Sequence, residues 1–197
     1  MTDRATPAFG TRRPAVFFGL DGTLIEHVPG LRNPANVSLV PHASNAVRYI
    51  NYVFVPVVVV TNQPGLARGT VTEADYEAVK AQIDNLLAER NAWIDATYVC
   101  PHDPAVSGAC ACRKPGTALF ERAISDLRLD PGRCACIGDR WDDIVVARTL
   151  GGRGILVPSV QTPEDEIVRA KQEFEVVTTL TDAVHAIIGS PAPGADG

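Results

Sequence analysis

Three apolar runs, each stopped by a short polar loop, constrain this chain more than any other feature. Residues 15–20 end at Asp21-Gly22-Thr23, residues 55–60 at Thr61-Asn62-Gln63-Pro64-Gly65, and residues 134–138 at Asp139-Arg140. Runs rich in Val, Ile and Phe, closed by Gly, Pro, Asp or Asn, read as buried strands meeting loops. Further short strands are expected at 96–100, 154–157 and 174–178. Between them lie stretches with helical spacing: 43–52, with Ala46, Val47 and Ile50 on one face; a capped start at Thr72 running to about Asn91; 117 or 118 to 127; 142–150; 164–172; and 181–188. Strands alternating with helices predict an α/β fold, a parallel sheet covered on both faces as a three-layer sandwich. Ligands in such sheets bind beyond the carboxyl ends of the strands. The three polar loops are therefore expected to meet at one crevice.

Length and composition narrow the function. A chain of 197 residues suits one domain, and 46% hydrophobic against 21% charged residues is ordinary for a globular protein. The expected divisions are a flexible N-terminal segment over 1–14, a single domain over 15–189 and a disordered Pro/Gly-rich tail over 190–197. A net charge of −5 argues against a nucleic-acid partner, whose footprint is a basic patch. The longest apolar run, 53–60, is interrupted by Pro56 and is too short to cross a membrane. The first fourteen residues are polar, carry Arg4, Arg12 and Arg13, and lack the apolar stretch of a secretion signal. The expectation is a cytoplasmic monomer.

In such a compartment five cysteines point to metal or free thiols before disulfides. Cys100-x-His102 and Cys110-x-Cys112 bracket a seven-residue loop. Thiolates and an imidazole suit a closed, structural Zn²⁺ site, the alternative being loose loop thiols beside an exposed histidine. Cys134 and Cys136 alternate within a strand and read as small core residues.

Four segments occur in order: Gly19-Leu20-Asp21-Gly22-Thr23-Leu24, Thr61-Asn62-Gln63, Arg113-Lys114-Pro115, and Gly138-Asp139-Arg140-Trp141-Asp142-Asp143. Together they resemble the four-motif signature of the haloacid dehalogenase (HAD) superfamily, over roughly 16–180. A narrower resemblance links residues 60–69, Cys100-Pro101-His102 and Cys110-Ala111-Cys112-Arg113-Lys114-Pro115 to the D-glycero-D-manno-heptose 1,7-bisphosphate 7-phosphatases. The related histidinol-phosphate phosphatases share much of the pattern. The resemblance implies a Rossmann-like HAD sandwich with a minimal cap and a zinc-binding loop. It implies hydrolysis of a small phosphorylated sugar with Mg²⁺, in which one first-motif aspartate attacks phosphorus and a second protonates the leaving alcohol.

Carried over residue by residue, Asp21 is the acid/base, and its carbonyl is a magnesium ligand. Asp139 is a magnesium carboxylate supported by Asp143. Thr61 and Asn62 bind phosphoryl oxygens, and Lys114 neutralises phosphate and nucleophile. Arg113 contacts substrate, and Arg68 is a candidate for a second anionic group. The departure is Gly19, which falls on the nucleophile position and supplies no oxygen for attack. Three explanations stand open: an introduced inactivation, a non-catalytic relative that binds phosphate esters or a partner, or a neighbouring acid or water acting instead. Glu26 and His27 are too far along the chain to be obvious substitutes. Ile25 and Gly116-Thr117-Ala118 also depart from the family pattern. Of the remaining residues, Asp142 reads as a helix N-cap, Trp93 and Trp141 as packing residues, and His185 as core or surface. The apolar turn Asn51-Tyr52-Val53-Phe54 reads as a contact surface.

Overall fold

The computed structural model describes residues 12–189. The expected tail over 190–197 and the first eleven residues of the expected N-terminal segment lie outside the described residues. Arg13 is already tied to the body: it donates its N–H to Arg128 O (3.3 Å), and its carbonyl accepts from the Asp130 N–H (2.8 Å).

In chain order the elements are β1 (Val16–Phe18), α1 (Ala43–Tyr52), β2 (Val57–Asn62), α2 (Pro64–Ala67), α3 (Glu73–Ala88), β3 (Ala96–Cys100), α4 (Pro104–Ser107), α5 (Ala118–Asp126), β4 (Ala135–Gly138), α6 (Trp141–Ile144), α7 (Val146–Leu150), β5 (Arg153–Leu156), α8 (Glu164–Glu173), β6 (Glu175–Val176) and α9 (Leu180–Ile188). Local chemistry sets several boundaries. Thr72 caps α3 by accepting from the Asp75 N–H while the Asp75 carboxylate accepts from the Thr72 N–H, a reciprocal box. Thr179 caps α9 by accepting from the Asp182 N–H. Gly151, in the left-handed region at φ 74°, ends α7. The predicted helix over 142–150 is two short helices that meet at Val145, the first starting at Trp141.

All strands are parallel, in the order β3-β2-β1-β4-β5-β6. The chain steps outward from β1 through β2 to β3, then returns to lay β4 on the other side of β1. The strand order therefore reverses between β1 and β4, and a crevice opens beyond their carboxyl ends. Successive side chains of β1 serve opposite faces: Val16 and Phe18 pack with α1, α3 and α9, whereas Phe17 packs with α5 and α7. The Phe17 and Phe120 rings meet at 5.1 Å, and each fully buried side chain of this kind contributes about 1.5–3 kcal/mol. Cys134 and Cys136 lie in this second core, as expected. A third cluster joins Trp141, Ile144 and Leu156 to Ala170 of α8.

Burial on both faces is why these strands read as unbroken apolar runs. Trp141 packs against Phe174 as a core residue, but Trp93 is 51% exposed and is not one. Its backbone is bound to the Asn51 side chain, which holds the main chain while the ring stays in solvent. Tyr52 and Phe54 are exposed beside it in sequence, with Phe54 in the left-handed region at φ 59°. Among the described residues no helix is long and apolar enough to cross a membrane.

Candidate functional site

The site grows from the turn after β1. The Gly19 N–H donates to Ile137 O (3.0 Å), which holds it against β4. Leu20 O then accepts from the N–H groups of Thr23, Leu24 and Ile25, folding the chain back sharply. Gly22 sits at φ 78°, and a Cβ there would stand 2.3 Å from an Asp139 oxygen, so both conformation and space demand glycine. At Gly19 the pressure is milder. A Cβ would come 2.9 Å from Thr23 Oγ1 and 3.0 Å from Asp143 Oδ1, both ends of side chains.

One cavity of about 490 Å³ opens over this turn, and Asp21, Thr61, Asn62, Arg68, Arg113, Lys114 and Asp143 all line it. The three loops do meet. Asp21 accepts a hydrogen bond from Gln63 Nε2 (2.8 Å), which also donates to Thr61 Oγ1 (3.0 Å). Burial pushes the Asp21 carboxyl above its ordinary value; the Gln63 bond and the charges of His27 and Lys114 oppose the rise. Asn62 braces the Lys114 loop: its Oδ1 accepts from the Lys114 N–H (3.0 Å), and its Nδ2 faces Lys114 O (3.4 Å). The Lys114 ammonium is buried, donates to Val60 O and forms an ion pair with Asp143. Arg68 forms an ion pair with Asp103, whose carboxylate also caps α4.

Asp139 is the exception, for it does not line the cavity. Its carboxylate is buried behind the turn and accepts from Thr23 Oγ1 (2.9 Å) and Ser159 Oγ (2.8 Å), while its carbonyl accepts from Thr162 Oγ1 (2.7 Å). Burial and the nearby Asp143 charge raise its carboxyl above the ordinary value. Asp142 is not the N-cap. It is the second residue of α6, and the Arg140 N–H at the helix start is taken by Asp143 (3.2 Å), because the tight turn after Gly138 aims Asp143 back at it. A Cβ at Gly138 would meet the Asp143 side chain at 2.1 Å.

Gln63 stands in the second motif segment but the resemblance assigns it no role there, and Ser159 and Thr162 fall in no motif segment. Gln63 was nonetheless readable as a polar side chain at the end of a strand. Ser159 and Thr162 follow β5, whose carboxyl end the same strand-end rule marks.

The second cluster lies at the end of β3. The ligand atoms of Cys100, His102, Cys110 and Cys112 all fall within 4.8 Å of one another. Sulfur–sulfur separations are 3.1, 3.5 and 3.7 Å, and His102 Nδ1 lies 3.1 Å from Cys112 Sγ. A tetrahedral thiolate site with bonds of ~2.3 Å has edges of ~3.8 Å. The set is thus nearly closed to that size, and none of these cysteines is in a disulfide.

A HAD-hydrolase-like family model matches residues 111–183. The D-glycero-beta-D-manno-heptose-1,7-bisphosphate 7-phosphatase of Escherichia coli O6:H1 is 34% identical over 182 residues, covering 88% of this chain and 94% of that one. Its namesake from Salmonella typhi is 32% identical over 180 residues, covering 88% and 95%. Among solved structures, the D,D-heptose 1,7-bisphosphate phosphatase of B. bronchiseptica, crystallised with magnesium and phosphate, superposes with a TM-score of 0.79 at 23% identity, over 89% of this chain and 97% of that one. The corresponding protein of Burkholderia thailandensis gives 0.66 at 20% identity, over 91% and 100%. These two structures speak for the fold.

Proposed function

Because the chain belongs to the HAD-like hydrolase family, with relatives a third identical over most of its length, we propose that its cavity receives a phosphorylated sugar of the heptose 1,7-bisphosphate kind and, with Gly19 at the nucleophile position, hydrolyses it far more slowly than an aspartate there would. The carrying observation is the turn itself: Asp21, Thr61 and Lys114 face one cavity, while residue 19 brings no side chain to it.

Each neighbour has a task in this reading. Lys114 meets phosphoryl charge from a buried position, and the Thr61 hydroxyl supplies a hydrogen bond. Asn62 acts by holding the Lys114 loop in place. Arg113 and Arg68, on the rim, suit the second phosphate or the sugar hydroxyls. Asp21, whose carboxyl is raised by burial, keeps a proton longer than an exposed acid and suits protonation of the leaving alcohol. What is lacking is an attacking atom. The carboxylate beside residue 19 is Asp143, and it is tied to Lys114. Glu26 faces a neighbouring cavity with His42. His27 lines the correct cavity, but among the described residues its ring makes no hydrogen bond that would orient it. Neither is a ready substitute.

The residues fit the family's magnesium site poorly. Gly19 offers no carboxylate, Asp139 is not among the cavity's lining and accepts from Thr23 and Ser159, and Asp21 Oδ2 already accepts from Gln63. A hard cation needs several such oxygens aimed at one point. We therefore derive no step through magnesium. The Cys/His cluster does fit zinc, which when bound supplies a cross-link between the end of β3 and the loop that leads to Arg113 and Lys114.

The test is phosphate release from a panel of sugar phosphates, run beside Gly19→Asp with magnesium present. The expected result is a gain of at least about 10³-fold for the variant, since loss of a catalytic nucleophile costs up to about 10⁶ in turnover. Equal rates would remove the nucleophile argument.

A further inference from the structure

We infer that this cavity binds phosphate monoesters without magnesium, Gly19 having removed the negative charge that makes a divalent cation necessary. The inference rests on the phosphate-ester reading and deepens it. Of the cations lining the cavity, Lys114 is paired with Asp143, Arg68 with Asp103 and Arg140 with Glu166, which leaves Arg113 to face Asp21 and Asp142. An aspartate at residue 19 would add one more negative charge to this lining. It would do so beside another acid, because its Cβ would stand 3.0 Å from Asp143 Oδ1. Two carboxylates and an incoming phosphate dianion then crowd one point, and a divalent cation is what offsets such repulsion.

With glycine the crowding is absent. Asp143 is neutralised by Lys114, and Asp21 is engaged by Gln63. Asp139, the remaining acid of the family's metal set, spends its carboxylate on Thr23 and Ser159 outside the cavity. Arg113 lines the cavity and forms no ion pair among the described residues; its Nη1 donates to His102 O (3.4 Å), and the rest of its guanidinium is left to meet an anion. The same change that removes the attacking group thus leaves an anion site complete in itself.

The test is calorimetric titration of the full zinc-loaded chain with inorganic phosphate, in buffer from which magnesium is omitted and again with magnesium in excess. Omission is preferred to a strong chelator, which would strip the Cys/His cluster. The expected result is saturable phosphate binding of equal affinity in both buffers, and no saturable heat on titrating magnesium alone. In Gly19→Asp the affinity without magnesium should fall at least about tenfold and recover when magnesium is added. Circular dichroism establishes that the variant folds; if it does not, the two titrations of the parent chain decide the matter. Phosphate binding by the parent chain only with magnesium would overturn the inference and leave the phosphate-ester reading standing. Absence of phosphate binding in both buffers would overturn both.

Discussion

The two donor clusters of this molecule have fared differently. Cys100, His102, Cys110 and Cys112 bring four ligand atoms to one point at near-tetrahedral separations. The acids at the carboxyl ends of β1 and β4 do not converge: one position is glycine, Asp139 faces Thr23 and Ser159, and Asp143 is bound to Lys114. In the reading proposed above, the soft cluster would shape the chain and the acids would serve reaction chemistry. A fold can lose the second and keep the first, because the protein's own groups can satisfy the leftover acids. Lys114 and Asp143 make a neutral buried pair. Nothing in the protein can replace a tetrahedral ion among three sulfurs.

That contrast can be broken. The largest effect is expected from Cys112→Ala: elemental analysis should find about one zinc per parent chain and little or none in the variant. It should also lower unfolding free energy by on the order of 5 kcal/mol, since zinc binding in small peptides amounts to ~10–16 kcal/mol. An unchanged urea midpoint would reduce the cluster to loose thiols. Next, Lys114→Met leaves Asp143 buried and unpaired, and should cost about 3–5 kcal/mol. Adding Asp143→Asn should restore much of that loss, because the pair is costly to break and cheap to replace; a double variant as unstable as the single one would contradict this. Ser159→Ala removes one donor from buried Asp139 and should cost about 1–2 kcal/mol in the same denaturation assay.

The smallest effect concerns pH. Burial raises the Asp21 carboxyl above 3.8, so the folded chain holds this proton more tightly than the unfolded chain. The stability tied to the protonated form is fully present below the unfolded value and is lost as pH rises through the folded one. Asp21→Asn should therefore stabilise the protein at neutral pH, by less than about 1 kcal/mol. The gain should vanish in acid below the ordinary carboxylate range. Thermal melts across that window check the sign.

Much of the layout was legible because burial and periodicity are local. The runs at β1, β2 and β4 are apolar since both sheet faces are covered, and Ala43–Tyr52 matches its predicted helix end to end. The convergence of Asp21 and Thr61 followed from a general rule about strand ends, whereas Lys114, which precedes a helix, was picked out by the family resemblance. The failures were of direction. Trp93 reads as core by composition, yet its ring is outside because Asn51 takes its backbone. Asp142 reads as a cap by position, yet the turn at Gly138 hands that contact to Asp143.

The amino-acid order by itself determined the alternating α/β plan, the four cysteine and histidine donors and the loss of a carboxylate at residue 19. Those depend on residue type and spacing along one dimension. Only the folded chain decided where the surviving acids point. Thr23 and Ser159, which bind Asp139, and Lys114, which pairs with Asp143, lie 20 or more positions away in sequence, and such contacts form only where three-dimensional packing brings donor and acceptor within reach.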